Sequence, residues 1–422
     1  MKICWLLGCF LGLIQMAGAQ ALPKQAAAQI QQAAKTQTTP PFSAAALRLQ
    51  QYRLDNNLHN QPTPEGNVPL YAEGGLHYLQ PLYEYLKSYA SPVEKNRLSR
   101  HLAYAGDHLL ADYFNQQLYD SMMQEGYQDV HRFLDTLGKI QLTPARAFIK
   151  NRIANERVVM FNENPVQLQQ RAFFYSMLED FYQAGFRYLS LYWLSPYLKT
   201  DKAPLNKFWG YQVADPVAGE IIRKARQLGF VLIPYGDSSI NKRTANVQDA
   251  VQATRLASIL QQDSSARILV LEELAHISEL PIGDYTPMAT VFSRISGIDP
   301  LTIDLTELST GSSFEYGRYF YQELTKKINV DAPSVVMRNG QAVSLLENDQ
   351  YDLQVLFPPA KNLRNRADWL TLSGNRKETP IRPTERELFL VQAYYADETE
   401  RSAFTYLIPA DQTYLTDRDG YY

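Results

Sequence analysis

The chain is 422 residues long, 45% hydrophobic and 12% aromatic, with 28 tyrosines and a net charge of −3. That length accommodates two or three domains with a sizeable core. Basic and acidic side chains nearly balance, 41 against 44, so there is no strong positive field to hold a polyanion, which argues against nucleic acid as a partner.

The first 19 residues read as a cleaved signal peptide. Lys2 supplies the charged start, 3–16 are apolar, and Ala17-Gly18-Ala19 is a small-x-small cleavage site. A mature chain beginning at Gln20 would be secreted or periplasmic. No later run approaches the roughly twenty apolar residues a bilayer span needs, so no transmembrane segment is expected after signal removal. Leu6-Leu7-Gly8-Cys9 is a lipoprotein-box alternative, but it leaves an apolar stretch shorter than a signal needs. Both cysteines, Cys4 and Cys9, fall in this segment. The mature protein would then have no disulfide, no cysteine nucleophile and no thiolate metal ligand.

Residues 20–66 are rich in Gln, Ala, Thr and Pro and read as a flexible tether. Residues 67–150 read as a helical subdomain. Leu79, Leu82, Tyr83 and Leu86 share one face, and further helices are expected over 93–104, 106–123 and 130–138.

From 151 to 332 the period changes to that of an α/β core. Val158-Val159-Met160-Phe161 is a short buried-strand run, followed by a polar Asn162-Glu163-Asn164-Pro165 corner. A helix comes next, with Leu168, Ala172, Tyr175, Leu178 and Tyr182 on one face, ending at Gly185, and then a strand over 186–191. The cycle recurs: helix 216–228, Gly229 and strand 230–234, helix 246–262 and strand 267–271, then helix 286–296 and strand 301–304. Such β-α-β repetition predicts a three-layer α/β/α domain with a mainly parallel sheet. Helix 313–327 and a strand over 335–337 follow. Residues 333–422 form a β-rich extension, with an Asn339-Gly340 hairpin turn and strand runs at 353–357, 369–372, 388–393 and 404–408.

Ligands in parallel sheets sit at the carboxyl ends of the strands. That rule gathers Asn162, Glu163, Tyr192, Trp193, Tyr235, Asp237, Glu272, Glu273, His276 and Asp304 at one rim. The order strand, Asn-Glu, helix bearing Arg171, Gly-Phe-x-Tyr-Leu, and later a strand leading to Ala-His resembles the Tiki/ChaN-like superfamily. That group includes erythromycin esterase-like hydrolases, TraB/Tiki-type metalloproteases and ChaN-like haem-binding lipoproteins. The resemblance covers about residues 155–310. It implies an active-site histidine where Asn164-Pro165 stand, an acid where Tyr192-Trp193 stand, and Tyr-Glu where Tyr235-Gly236 stand. A late Gly-x-x-His becomes Glu273-Leu274-Ala275-His276. The framework is kept and much of the chemistry is replaced, so the resemblance implies a degenerate member that binds a small-molecule or protein ligand at the rim.

Two other roles remain open. One is a metal-assisted hydrolase of an ester or peptide bond, with Glu163 and His276 as metal ligands or catalytic groups and Arg171 orienting Glu163 or gripping an anionic substrate. Oxygen-rich ligation would then suit manganese or calcium better than zinc. The other is a structural cell-envelope component resting on the tether and the β-rich tail. The bland alternative for Glu163 is a carboxylate complementing a helix N-terminus, and for His276 a hydrogen-bonded structural residue. Tyr192 and Trp193 could stack on a flat ligand such as haem or a sugar, or simply close a vacated pocket. His77 or His108 from the helical subdomain could complete the site.

Overall fold

The computed structural model describes residues 99–416, apart from parts of 101–126, 196–214 and 364–387 and the whole of 235–243, 313–316, 346–349 and 401–406. The signal segment, the tether, His59, His77, His101, Tyr235, Asp237 and the expected strand at 404–408 therefore lie largely or wholly outside the described residues.

Strand β2 (Val158–Glu163) is buried along its whole length, as a central parallel strand covered on both faces must be. After α1 (Tyr127–Thr136) and α2 (Ala145–Arg152), helix α3 (Leu168–Gln183) leads to β3 (Tyr188–Leu191), and α4 (Pro216–Leu228) to β4 (Val231–Ile233). Helix α5 (Ala245–Gln262) leads to β5 (Ile268–Glu273), and α6 (Met288–Ser296) to β6 (Leu301–Asp304). The expected glycine ends are real: Gly185 and Gly229 both take φ +95°, the left-handed conformation in which a side chain would be strained. Asp215 starts α4, its carboxylate accepting the Val217 and Ala218 amides at 3.0 and 2.9 Å ahead of Pro216.

With β1 (Gln141–Pro144), β7 (Ser334–Arg338), β8 (Gln341–Ala342) and β9 (Leu353–Leu356) included, the sheet order is β1-β7-β9-β6-β2-β5-β3-β4, with β8 pairing β7. All pairs from β9 to β4 are parallel, and β1, β7 and β8 join antiparallel. The chain moves outward from β2 through α3 and α4, then back through α5 and α6. Right-handed crossovers therefore put the first helix pair on one face and the second on the other. Packing agrees, with α3 against α4 and α5 against α6. Neighbouring strands β2 and β6 leave in opposite directions, which opens the crevice where α/β sheets place ligands.

Three expectations need correction. The segment 67–150 is not helical throughout, because 141–144 is an edge strand; Pro144 at its end has no amide to donate, which suits an edge. The sheet does not stop near 332, since β7 and β9 lie inside it. Residues 368–371 form a 3-10 turn rather than a strand, and Leu372 and Ser373 follow with φ +47° and +59°. Four alternating residues are too few to separate these two forms.

Helix α3 also departs from the one-faced expectation, because twelve of its sixteen residues are buried. The sheet lies under it, α4 beside it and the 3-10 turn over it. The tail is completed by a hairpin of β10 (Leu388–Ala393) and β11 (Asp411–Thr416). It docks on α4: Arg223 holds Glu398 through two bonds of 2.9 and 2.8 Å, and the Tyr395 hydroxyl donates to Glu220 at 2.9 Å. No helix among the described residues is long and apolar enough to cross a membrane.

Candidate functional site

Glu163 ends β2 and Arg171 sits one turn into α3, both fully buried. Arg171 Nε donates to both Glu163 oxygens at 2.8 Å, and its Nη2 donates to Oε1 at 2.5 Å. Tyr192, just past β3, donates its hydroxyl to Glu163 Oε1 at 2.9 Å. On its other side Arg171 Nη1 reaches Asp215 at 2.9 Å, so the carboxylate that caps α4 also pairs with α3. The Trp193 ring lies 4.6 Å from the guanidinium carbon and the Tyr104 ring 5.9 Å. One guanidinium thus faces two carboxylates inside an aromatic box. Burial pushes the Glu163 carboxyl up, against the pull of Arg171. Burial alone would lower Arg171, but Glu163 and its neighbours hold it well above its ordinary value.

This geometry favours one of the two alternatives left open at each of two positions. Glu163 has both oxygens engaged and neither turned to solvent. Tyr192 and Trp193 are only 7% and 1% exposed, so they form no open wall for haem or a sugar. They close the pocket over an arginine.

Asn162 and Asp304 come together as a fastener rather than a binding pair. Asn162 donates to Asp304 at 2.8 Å and accepts the Leu305 amide at 2.6 Å. Asp304 also accepts the Thr306 amide and hydroxyl, the Glu307 amide and the Gln354 side chain. Its carboxyl is raised by burial despite these donors. The pair ties the ends of β2 and β6 together at the crevice.

The titratable part of the rim lies at β5. Glu272 and Glu273 stand in register beside Asn162 and Glu163. Glu272 is 2% exposed, its Oε2 has no hydrogen-bond partner, and burial raises its pKa to about 7. His276, in the 3-10 turn after β5, meets Asp249 Oδ1 through Nδ1 at 2.8 Å, and the Tyr285 hydroxyl donates to Asp249 Oδ2 at 2.6 Å. Burial opposes protonation of His276, but Asp249 and then Glu272 outweigh it and lift the pKa to about 9. In its protonated form His276 is a proton donor, and a metal would have to displace that proton to bind the ring.

Both groups bind their proton more tightly in the folded than in the unfolded chain. Stability therefore falls as pH rises, from about 4.5 to 7 through Glu272 and from about 6.5 to 9 through His276. With His276 side chain 28% exposed, we expect its limb to cost about 2 kcal/mol. Urea midpoints at pH 6 and 9.5 test this: Asp249→Asn should flatten that limb, and an unchanged slope in the variant would contradict the assignment.

The described helical residues between 99 and 115 pack against the carboxyl ends of the strands. Arg100 lies 3.8 Å from Glu273, Tyr104 stands by Arg171, and Asp112 accepts from Gln167 at 2.6 Å. Asn115 is fully buried beside Gly311, where a Cβ would come within 2.6 Å of its Nδ2 and 2.5 Å of Gln167 Nε2. His108 does not join the rim; it stacks edge-on against Trp369 at 4.6 Å.

Sequence reasoning missed Asp215, Asp249 and Tyr104. Asp249 had a legible signal: it begins the buried stripe of α5 that continues through Gln252, Ala253, Leu256, Ala257 and Leu260. A lone acid on such a stripe needs a buried partner.

The described residues fit neither expected cofactor. Among the described residues no three His, Asp or Glu side chains gather to hold a metal ion. Glu163 is spent on Arg171 and Tyr192, and His276 on Asp249. The chain matches no family model, no curated protein and no solved structure.

Proposed function

We propose that the chain is an exported, catalytically degenerate protein of the erythromycin esterase/ChaN-like type, binding a small-molecule or protein ligand at the carboxyl-end rim of its sheet. One observation carries this: the carboxylate in the expected catalytic position is locked on Arg171, fully buried, with no metal-ligand companions among the described residues. The solvent-facing part of the rim is its Arg100–Glu273–His276 edge, with side chains 31%, 25% and 28% exposed. Ligand contact is assigned there.

The test uses residues 20–422 without a histidine tag. After incubation with manganese, zinc and calcium and then desalting, metal content should be substoichiometric, and nitrophenyl esters and peptides should remain uncleaved. A retained ion lost in both Glu163→Ala and His276→Ala would overturn the reading. Export is checked by mass spectrometry of the full chain made in a Gram-negative host, where cleavage after Ala19 is expected and an intact cytoplasmic chain counts against it.

A second reading has its own support. Glu272, raised to about 7 beside the His276–Asp249 pair, is a proton-transfer set that needs neither metal nor Glu163. Turnover abolished by His276→Gln and kept in Glu163→Gln would select it.

A further inference from the structure

A cavity of about 410 Å³ opens in the C-terminal region, between the segment 366–377 and the β10–β11 hairpin. That volume is in the range that holds small organic ligands. None of the described rim residues lines it. Leu363, Leu370 and Val391 give it apolar surface, and Tyr394 and Tyr395 stand at its wall.

Its charges are unbalanced. Arg366, Arg376 and Lys377 line it, and Asp411 is the only acid among the described lining residues. Both arginines lean on the same atom, Asp411 Oδ1, at 2.7 and 3.7 Å. They are 20% and 16% exposed, so water screens them poorly, and one shared carboxylate cannot neutralise both. Arg376 is also fixed by donating to the carbonyls of Ala410 and Leu370, which holds its guanidinium in place before any ligand arrives. The local field is felt nearby: burial and then Arg366 and Arg376 push His108 well below its ordinary range.

We propose that this cavity binds a carboxylate carried on an apolar body, with the carboxylate between Arg366, Arg376 and Lys377 and the body against Leu363, Leu370 and Val391. Planar guanidinium groups suit a carboxylate better than a spherical anion, because two parallel N–H donors match its two oxygens. The apolar lining then separates such a ligand from a bare inorganic ion.

Calorimetric titration of residues 20–422 with decanoate, decanol and inorganic phosphate tests this. Decanoate should bind, with decanol and phosphate each weaker by roughly tenfold or more, the loss expected when one charge-assisted bond or the apolar contact is missing. Lys377 is exposed, so Lys377→Glu should fold normally and weaken decanoate by a similar factor. Val391→Trp puts an indole where the apolar body would lie and should weaken decanoate by a similar factor, with an unchanged thermal midpoint confirming the fold. Equal binding of decanol and decanoate, no decanoate binding, or parental binding in both variants would overturn the proposal.

Discussion

Replacing Arg171 with methionine should destabilise the protein by about 3–5 kcal/mol, the usual cost of stranding a buried charge, and lower the thermal midpoint by roughly 10 °C. The side chain is fully buried and bonded to Glu163, while its far end reaches Asp215 at 2.9 Å. Methionine keeps the volume and removes the charge. Glu163 and Asp215 would then face one another across an apolar gap with no cation between them. The Asp215 carboxylate remains engaged with the Val217 and Ala218 amides at the start of α4, and Glu163 loses its three guanidinium bonds. The double variant Arg171→Met/Glu163→Gln should recover a large part of the loss. A coupling energy above about 2 kcal/mol in that cycle identifies an ion pair in the fold's interior. If Arg171→Met alone lies within about 0.5 kcal/mol of the parent, the size of a surface substitution, the locked-carboxylate reading fails.

The β-α-β framework was legible because each cycle states its own punctuation. A short apolar run and a helical period recur, and the two glycine joints, Gly185 and Gly229, take the left-handed conformation expected of them. The Asn339-Gly340 turn was equally plain, with φ of +52° and +79° between β7 and β8. What was not legible depended on partners distant in sequence. Strand β11 reads Asp-Gln-Thr-Tyr-Leu-Thr and becomes a strand only by pairing with β10. Topology places the described rim residues Asn162, Glu163, Tyr192, Trp193, Glu272, Glu273, His276 and Asp304 at or just past the ends of β2, β3, β5 and β6, but their charge partners were not legible. Nothing between 163 and 215 announces that a helix-capping aspartate will share an arginine with Glu163. Charge pairing across the fold decides whether an acid at a strand end is a reagent or a fastener. Asp304, held by Asn162, illustrates the second outcome.

Gly210→Ala should cost about 3 kcal/mol or more, at the upper end for forcing extra volume into a packed interior. A Cβ at Gly210 would stand 1.9 Å from the Trp193 carbonyl oxygen and 2.9 Å from its carbon. Both are backbone atoms, so no rotamer change relieves the contact. The two segments cross there as an isolated bridge between Leu194 and Gly210, and the Ser195 amide donates to Trp209 at 2.6 Å. Separating them displaces Trp193, whose ring covers the Arg171 guanidinium. The damage should therefore reach the buried charges, and tryptophan emission should shift to the red along with the loss in midpoint. Gly297→Ala provides the contrast. Its φ is +67° and nothing lies within 4 Å of the added Cβ, so only left-handed strain of about 1 kcal/mol is expected. Space, not conformation, makes position 210 demanding. Equal losses in the two variants would show that the crossing at Trp193 is looser than its backbone contact requires, and Arg171 would then owe its burial to Tyr104 and α4 rather than to this crossing.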